Sequence, residues 1–130
     1  MKFYVDTCVW IDLLDSKEKD VMKLFSLIIE NKHTILLSNT LRKELRKILV
    51  RKNSNLLFEL FPIEYIEETI VQLQEGKKLE KILNIPFADA VHAINARDNN
   101  SILITKDKHF QKLKSIKTSY SPSLAIKLLS

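Results

Sequence analysis

Four stretches of this 130-residue sequence carry an acid in a conspicuous place. FYVDTCVW breaks an apolar run with Asp6, and ILITKD closes another with Asp107. SNTLRKELRKIL holds Glu44 one turn after Leu41 and one turn before Ile48. Between residues 42 and 52 the other charges are all basic: Arg42, Lys43, Arg46, Lys47, Arg51 and Lys52. IPFADAVHAINA sets Asp89 among Ala88, Ala90 and Ala93, whose small side chains let a backbone or substrate approach. Carboxylates brought together repel unless protonated or neutralised by a cation, and hard oxygen donors suit Mg²⁺ or Mn²⁺. A divalent ion held this way can generate hydroxide and stabilise charge on a phosphate, which makes phosphodiester hydrolysis the chemistry to expect.

The acids meet only if the fold brings them together. Residues 2–5 read as a short buried strand. Residues 18–31 read as an amphipathic helix with Val21, Leu24, Phe25, Ile28 and Ile29 on one stripe. Residues 34–37 give a second strand, and Ser38 can cap a helix carrying Leu41, Leu45, Ile48 and Leu49. Residues 53–62 suggest a short helix and turn. Residues 64–83 continue as helix, with a bend or break at Gly76 and an end at Asn84. Pro86 opens a helix over 87–97 that Asn99 and Asn100 close. Residues 101–104 form a third strand, 107–113 a short helix and 116–119 an edge strand. Ser121 and Pro122 start the last helix. Strands alternating with helices predict an α/β fold, one domain over residues 1–130, with a mostly parallel central sheet covered by helices on both faces. Ligands bind such sheets beyond the carboxyl ends of the strands, and Asp6 and Asp107 both fall there.

Each acid also has a purely structural reading. Asp6 can cap a helix beginning near Val9, and Asp107 can cap the helix after the third strand. Glu44 can pair with nearby lysines and arginines, and Asp89 in a first turn favours the helix dipole. Helical periodicity turns Asp89 away from Phe87, Val91 and Ile94, toward solvent. The coincidence of all four is what singles them out as a set.

Composition narrows the field. Lys and Arg number 21 against 16 Asp and Glu, a net charge of +5 that favours polyanionic partners. Gly76 is the only glycine, which excludes a Walker A loop and a GxGxxG dinucleotide turn. Cys8 is the only cysteine, so no disulfide can form within the chain; this suits a reducing cytoplasm, and Cys8 reads as a small packed residue. MKFYVD reaches an acid before any apolar stretch and no apolar run nears membrane-spanning length, so neither a signal peptide nor membrane association is expected.

The sequence resembles a PIN domain, specifically a VapC-type toxin ribonuclease of a toxin-antitoxin pair, over essentially its full length. FYVDTCVWIDLL, LSNTLRKEL, IPFADAVHAINA, ILITKDKHF and SPSLAIKLL carry the resemblance. It implies a PIN-like α/β/α sandwich and an acidic quartet of Asp6, Glu44, Asp89 and Asp107. Asp6 and Asp89 would be the principal metal ligands, Asp107 would complete the pocket directly or through water, and Glu44 would position water or a second metal. Thr7 and Thr105 match supporting hydroxyl positions. The resemblance further implies cleavage of single-stranded or looped RNA to 5′-phosphate and 3′-hydroxyl ends by metal-activated water, a homodimer, and a cognate VapB-like antitoxin that blocks the pocket. Cys8 stands where the family often has Asn, and Asn99-Asn100 where it often has Gly. His33, His92 and His109 read as surface or packing residues, although His92 lies one turn from Asp89. Asp12 reads as solvated, and Trp10 as core or dimer interface. Lys106, Lys108, Lys112 and the basic helix are candidates to hold an RNA backbone. Two other readings remain: a non-catalytic PIN-fold module that binds RNA or protein, and a flap-type DNA nuclease.

Overall fold

A computed structural model of the chain describes residues 1–15, 17–53 and 57–130. Its centre is a five-stranded sheet ordered β3-β2-β1-β4-β5, built from β1 (Lys2–Val5), β2 (Thr34–Ser38), β3 (Ile63–Ile66), β4 (Ile102–Ile104) and β5 (Ser119–Tyr120). Every pairing is parallel. Parallel strands need crossovers, and helices supply them: α1 (Thr7–Asp15), α2 (Lys19–Glu30), α3 (Asn39–Arg51), α4 (Ile70–Leu83), α5 (Phe87–Asp98) and α6 (Pro122–Leu129). Helices on both sheet faces leave the central strands as continuous apolar runs, and Phe3, Tyr4, Val5, Ile35, Leu36 and Leu37 are fully buried.

The first half of the sheet agrees with the sequence reading almost residue for residue. The stripe Val21, Leu24, Phe25 and Ile28 of α2 is buried, whereas Ile29 is exposed. Ser38 caps α3 by accepting the Leu41 amide, and Ser121 caps α6 by accepting that of Leu124. Asn84 and Asn100 take the left-handed conformation that ends α4 and follows α5. Trp10 is core, packed against Phe25, Phe58 and Phe61.

Three expectations are corrected. Residues 63–66 are a strand, not the start of a helix, because Ile63 through Ile66 pair with Ile35 through Ser38. The helix proper starts at Ile70, where Thr69 and Gln72 form a reciprocal capping box. Gly76 neither bends nor breaks it: the helix runs through, and a Cβ at Gly76 would lie 2.9 Å from Val91 Cγ2 and 3.2 Å from Phe87 Cε1. The glycine therefore marks a close approach of α4 to α5. The edge strand lies at Ser119–Tyr120, C-terminal to most of the predicted 116–119 span. Of the short helix expected over 53–62, residues 54–56 lie outside the described residues; Leu57–Leu60 form a 3₁₀ turn. Among the described residues no helix is long and apolar enough to cross a membrane.

Candidate active site

β1 and β4 are hydrogen-bonded neighbours at the middle of the sheet, with Val5 in register with Ile104, so the residues that follow them emerge side by side. Asp6 leaves β1 with its amide bonded to the Ile104 carbonyl at 2.9 Å. Its carboxylate does not act as the expected helix cap; it accepts the Thr105 hydroxyl at 2.9 Å and the Cys8 thiol at 3.2 Å. Thr105 is buried and also accepts the Asp107 amide at 3.0 Å, tying the two acids through one hydroxyl. Asp107 does cap, as one structural reading had it: its carboxylate accepts the His109 amide at 2.9 Å at the start of the 3₁₀ helix Lys108–Leu113.

Asp89 is buried at 9% exposure, contrary to the helical-wheel expectation. The wheel assumes a helix with one solvent face, whereas α5 lies against α4, α3, β1, β4 and the 3₁₀ helix, and every residue from Asp89 to Ala96 is buried. Burial, reinforced by the charges of Asp6 and Asp107, pushes the Asp89 carboxyl from its ordinary 3.8 up to about 6. The His109 imidazole faces both neighbouring acids, with Nδ1 3.2 Å from Asp89 Oδ2 and 3.2 Å from Asp107 Oδ1.

Glu44 projects from α3 into the same pocket. Its Oε1 accepts the Thr7 hydroxyl at 2.9 Å and lies 2.5 Å from Nε2 of His92, a fully buried side chain whose same nitrogen is 3.9 Å from Asp6 Oδ1. Burial works to raise the Glu44 carboxyl, but the bond and charge of His92, with the Thr7 hydroxyl, outweigh it and hold the group below its ordinary range.

The four sequence-predicted acids thus converge, and each threonine holds one of them. Sequence reasoning missed His92, His109 and Cys8. His92 is in the pocket wall rather than in packing alone, a position hinted at only by its spacing of one turn from Asp89. Cys8 is a half-buried thiol that burial and the Asp6 charge push up to about 12, so it donates to Asp6 as a neutral group. Asp12 is not simply solvated, for it pairs with Lys106 at 2.6 Å, which turns that lysine toward α1.

The donor set fits a divalent cation. Carboxylate oxygens of Asp89 and Asp107 and a ring nitrogen of His109 lie within 4.8 Å of one another, and a bound ion would offset the burial and the neighbouring negative charge that together raise Asp89. Oxygen donors suit Mg²⁺ and Mn²⁺, and an imidazole nitrogen among them favours Mn²⁺.

The sequence matches the PIN domain family over residues 3–116. No curated protein matches it. Among solved structures it is similar to VapBC2 from Rickettsia felis, crystallised bound to a DNA fragment from their promoter, with a TM-score of 0.69, 20% identity, and coverage of 93% of this chain and 97% of that one. It is also similar to PAE2754 from Pyrobaculum aerophilum, with a TM-score of 0.63, 17% identity, and coverage of 98% and 95% respectively.

Proposed function

The chain belongs to the PIN domain family, and from that premise we propose that it is a VapC-type endoribonuclease toxin that hydrolyses RNA phosphodiester bonds. The observation that carries the reading is the convergence of Asp6, Glu44, Asp89 and Asp107 at one sheet edge, with Asp89 raised by burial and by its like-charged neighbours. Asp6, Asp89 and Asp107 would hold a divalent ion, Mg²⁺ or Mn²⁺. When bound, such an ion supplies positive charge to the scissile phosphate and lowers the pKa of a water molecule. Glu44, kept ionised by His92 and Thr7, orients the attacking water and accepts its proton. Thr105 fixes Asp6 against the backbone of Asp107, so the two acids keep one spacing. The products are 5′-phosphate and 3′-hydroxyl ends.

The net charge of +5 supports a polyanionic substrate. The similarity to VapBC2 supports a VapB-like antitoxin as the partner that blocks the pocket. A homodimer belongs to the same reading, and the exposed apolar side chains Ile70, Val71 and Ile82 of α4 are consistent with it.

The test is incubation of folded, antitoxin-free protein with a total RNA pool in Mg²⁺ and then Mn²⁺, with an EDTA control. Discrete fragments that vanish in EDTA and carry 5′-phosphates are expected. Retention of RNA without cleavage in either metal would overturn the nuclease reading in favour of a binding module.

A further inference from the structure

His92 has no part in the acidic quartet, yet it is a fully buried side chain with polar partners on both ring nitrogens. We propose that His92 is a positioning residue for Glu44, held in place by a hydrogen-bond chain that begins at the N-cap of α3. The role rests on Glu44 being part of the cleavage site.

The Leu41 amide donates to Ser38 Oγ at 3.1 Å. Ser38 Oγ lies 2.6 Å from the Tyr4 hydroxyl, which in turn lies 2.6 Å from His92 Nδ1. Burial pushes the Tyr4 phenol far up, so it keeps its single proton. An ionised Glu44 offers only acceptor oxygens, so the 2.5 Å contact is a hydrogen bond only with the proton on Nε2, which donates to Oε1. On the other side of the ring, Nδ1 meets the Tyr4 hydroxyl, which can donate to it or accept from it. Thr7 donates to the same Oε1 at 2.9 Å, leaving Oε2 as the carboxylate oxygen not engaged by this pair.

The chain therefore reaches from backbone to carboxylate through side chains that all sit in the core. A carboxylate held by such a partner cannot rotate away when substrate binds, which is the usual service of groups behind a catalytic ligand. On the opposite side of the pocket His109, the imidazole that meets Asp89 and Asp107, is half exposed.

Three variants and one spectrum test this. The ¹⁵N spectrum of His92, assigned by its loss in His92→Gln, is expected to show a proton fixed on Nε2. In Tyr4→Phe, which removes one hydroxyl and keeps the ring, the Nδ1 signal is expected to shift while Nε2 keeps its proton. A wild-type ring protonated at Nδ1 alone would overturn the proposal. With a cleavable RNA, His92→Leu is expected to lower kcat about 10- to 100-fold with KM unchanged, and His92→Gln, whose amide nitrogen can reach Glu44, to restore most of the loss. A folded His92→Leu protein with wild-type kcat would also overturn it. Should wild-type protein cleave no RNA at all, the nuclease reading fails, whereas the positioning of Glu44 is still decided by the spectrum, which needs no substrate.

Discussion

Glu44 and Asp89 occupy the same carboxyl edge of the sheet and are both withdrawn from water, but their charges are met in opposite ways. On the Glu44 side, burial is outweighed by two hydrogen-bond partners, His92 and Thr7, and the carboxyl stays ionised. On the Asp89 side, burial and the charges of Asp6 and Asp107 prevail over His92 and His109, and the carboxyl rises to about 6. One half is complete without a ligand, and the other is short of positive charge. A site that preorganises its water-orienting group while leaving its ligand group frustrated has stability to gain from a cation.

The largest effect should come from the frustrated half. Asp89→Asn removes a charge with little change of volume, and RNA cleavage is expected to fall about 10²- to 10³-fold. The same change relieves repulsion, so the metal-free protein is expected to gain about 1 kcal/mol and melt a few degrees higher. Glu44→Gln should do the reverse on stability. It weakens two hydrogen bonds to a charged group, costing about 1 kcal/mol, and lowers cleavage about 10- to 100-fold. Melting curves of the two variants without metal decide the matter: shifts of the same sign would mean that the two halves do not differ as argued.

The same contrast explains what could be read from sequence. Elements whose apolar pattern alone determines burial, such as α2 with Val21, Leu24, Phe25 and Ile28, were legible, as were the caps Ser38 and Ser121. β3 was not, because Ile63 and Ile66 are spaced like a helix while their state is set by backbone pairing to β2, a contact across the fold. The Thr69–Gln72 capping box was the local sign that helix begins only at Ile70. The acids were legible as punctuation at strand ends. Asp89 was not legible as buried, because α5 is covered on all sides and periodicity reports only one-sided helices. His92 and His109 escaped because a histidine gives no pattern of its own; only the three-dimensional neighbours Glu44, Asp89 and Asp107 define what the rings do.

A smaller effect should sharpen the metal side alone. His109 offers a nitrogen within reach of Asp89 and Asp107, and nitrogen donors favour Mn²⁺ more than Mg²⁺. His109→Ala is expected to weaken Mn²⁺ binding about tenfold by calorimetry while changing Mg²⁺ binding less. Equal losses for both ions would show that the ring only neutralises charge, and that the oxygens alone select the ion.

The smallest effect is the most direct measure of frustration, the pH dependence of stability. Asp89 binds its proton at about 6 in the folded chain against an ordinary 3.8, so between those values the folded state holds more protons than the unfolded state. Stability from this group is therefore complete below about 4 and is lost as pH rises through 6. The carboxyls held low, Glu44 among them, act with the opposite sign, but their contribution is lost only as pH falls through values below their ordinary range. His33, held low by burial and by the N-terminal charge, also opposes Asp89. Subtracting the Asp89→Asn curve removes these shared contributions. Without metal, the stability advantage of Asp89→Asn over wild type is expected to widen from pH 5 to pH 7. Saturating Mn²⁺ competes with the proton at Asp89 and should close that gap, making the ion-induced rise in Tm larger at pH 7 than at pH 5. A difference that ignores pH would mean that His109 and His92 already neutralise Asp89 in the folded chain, and that neither half of the pocket waits for a cation.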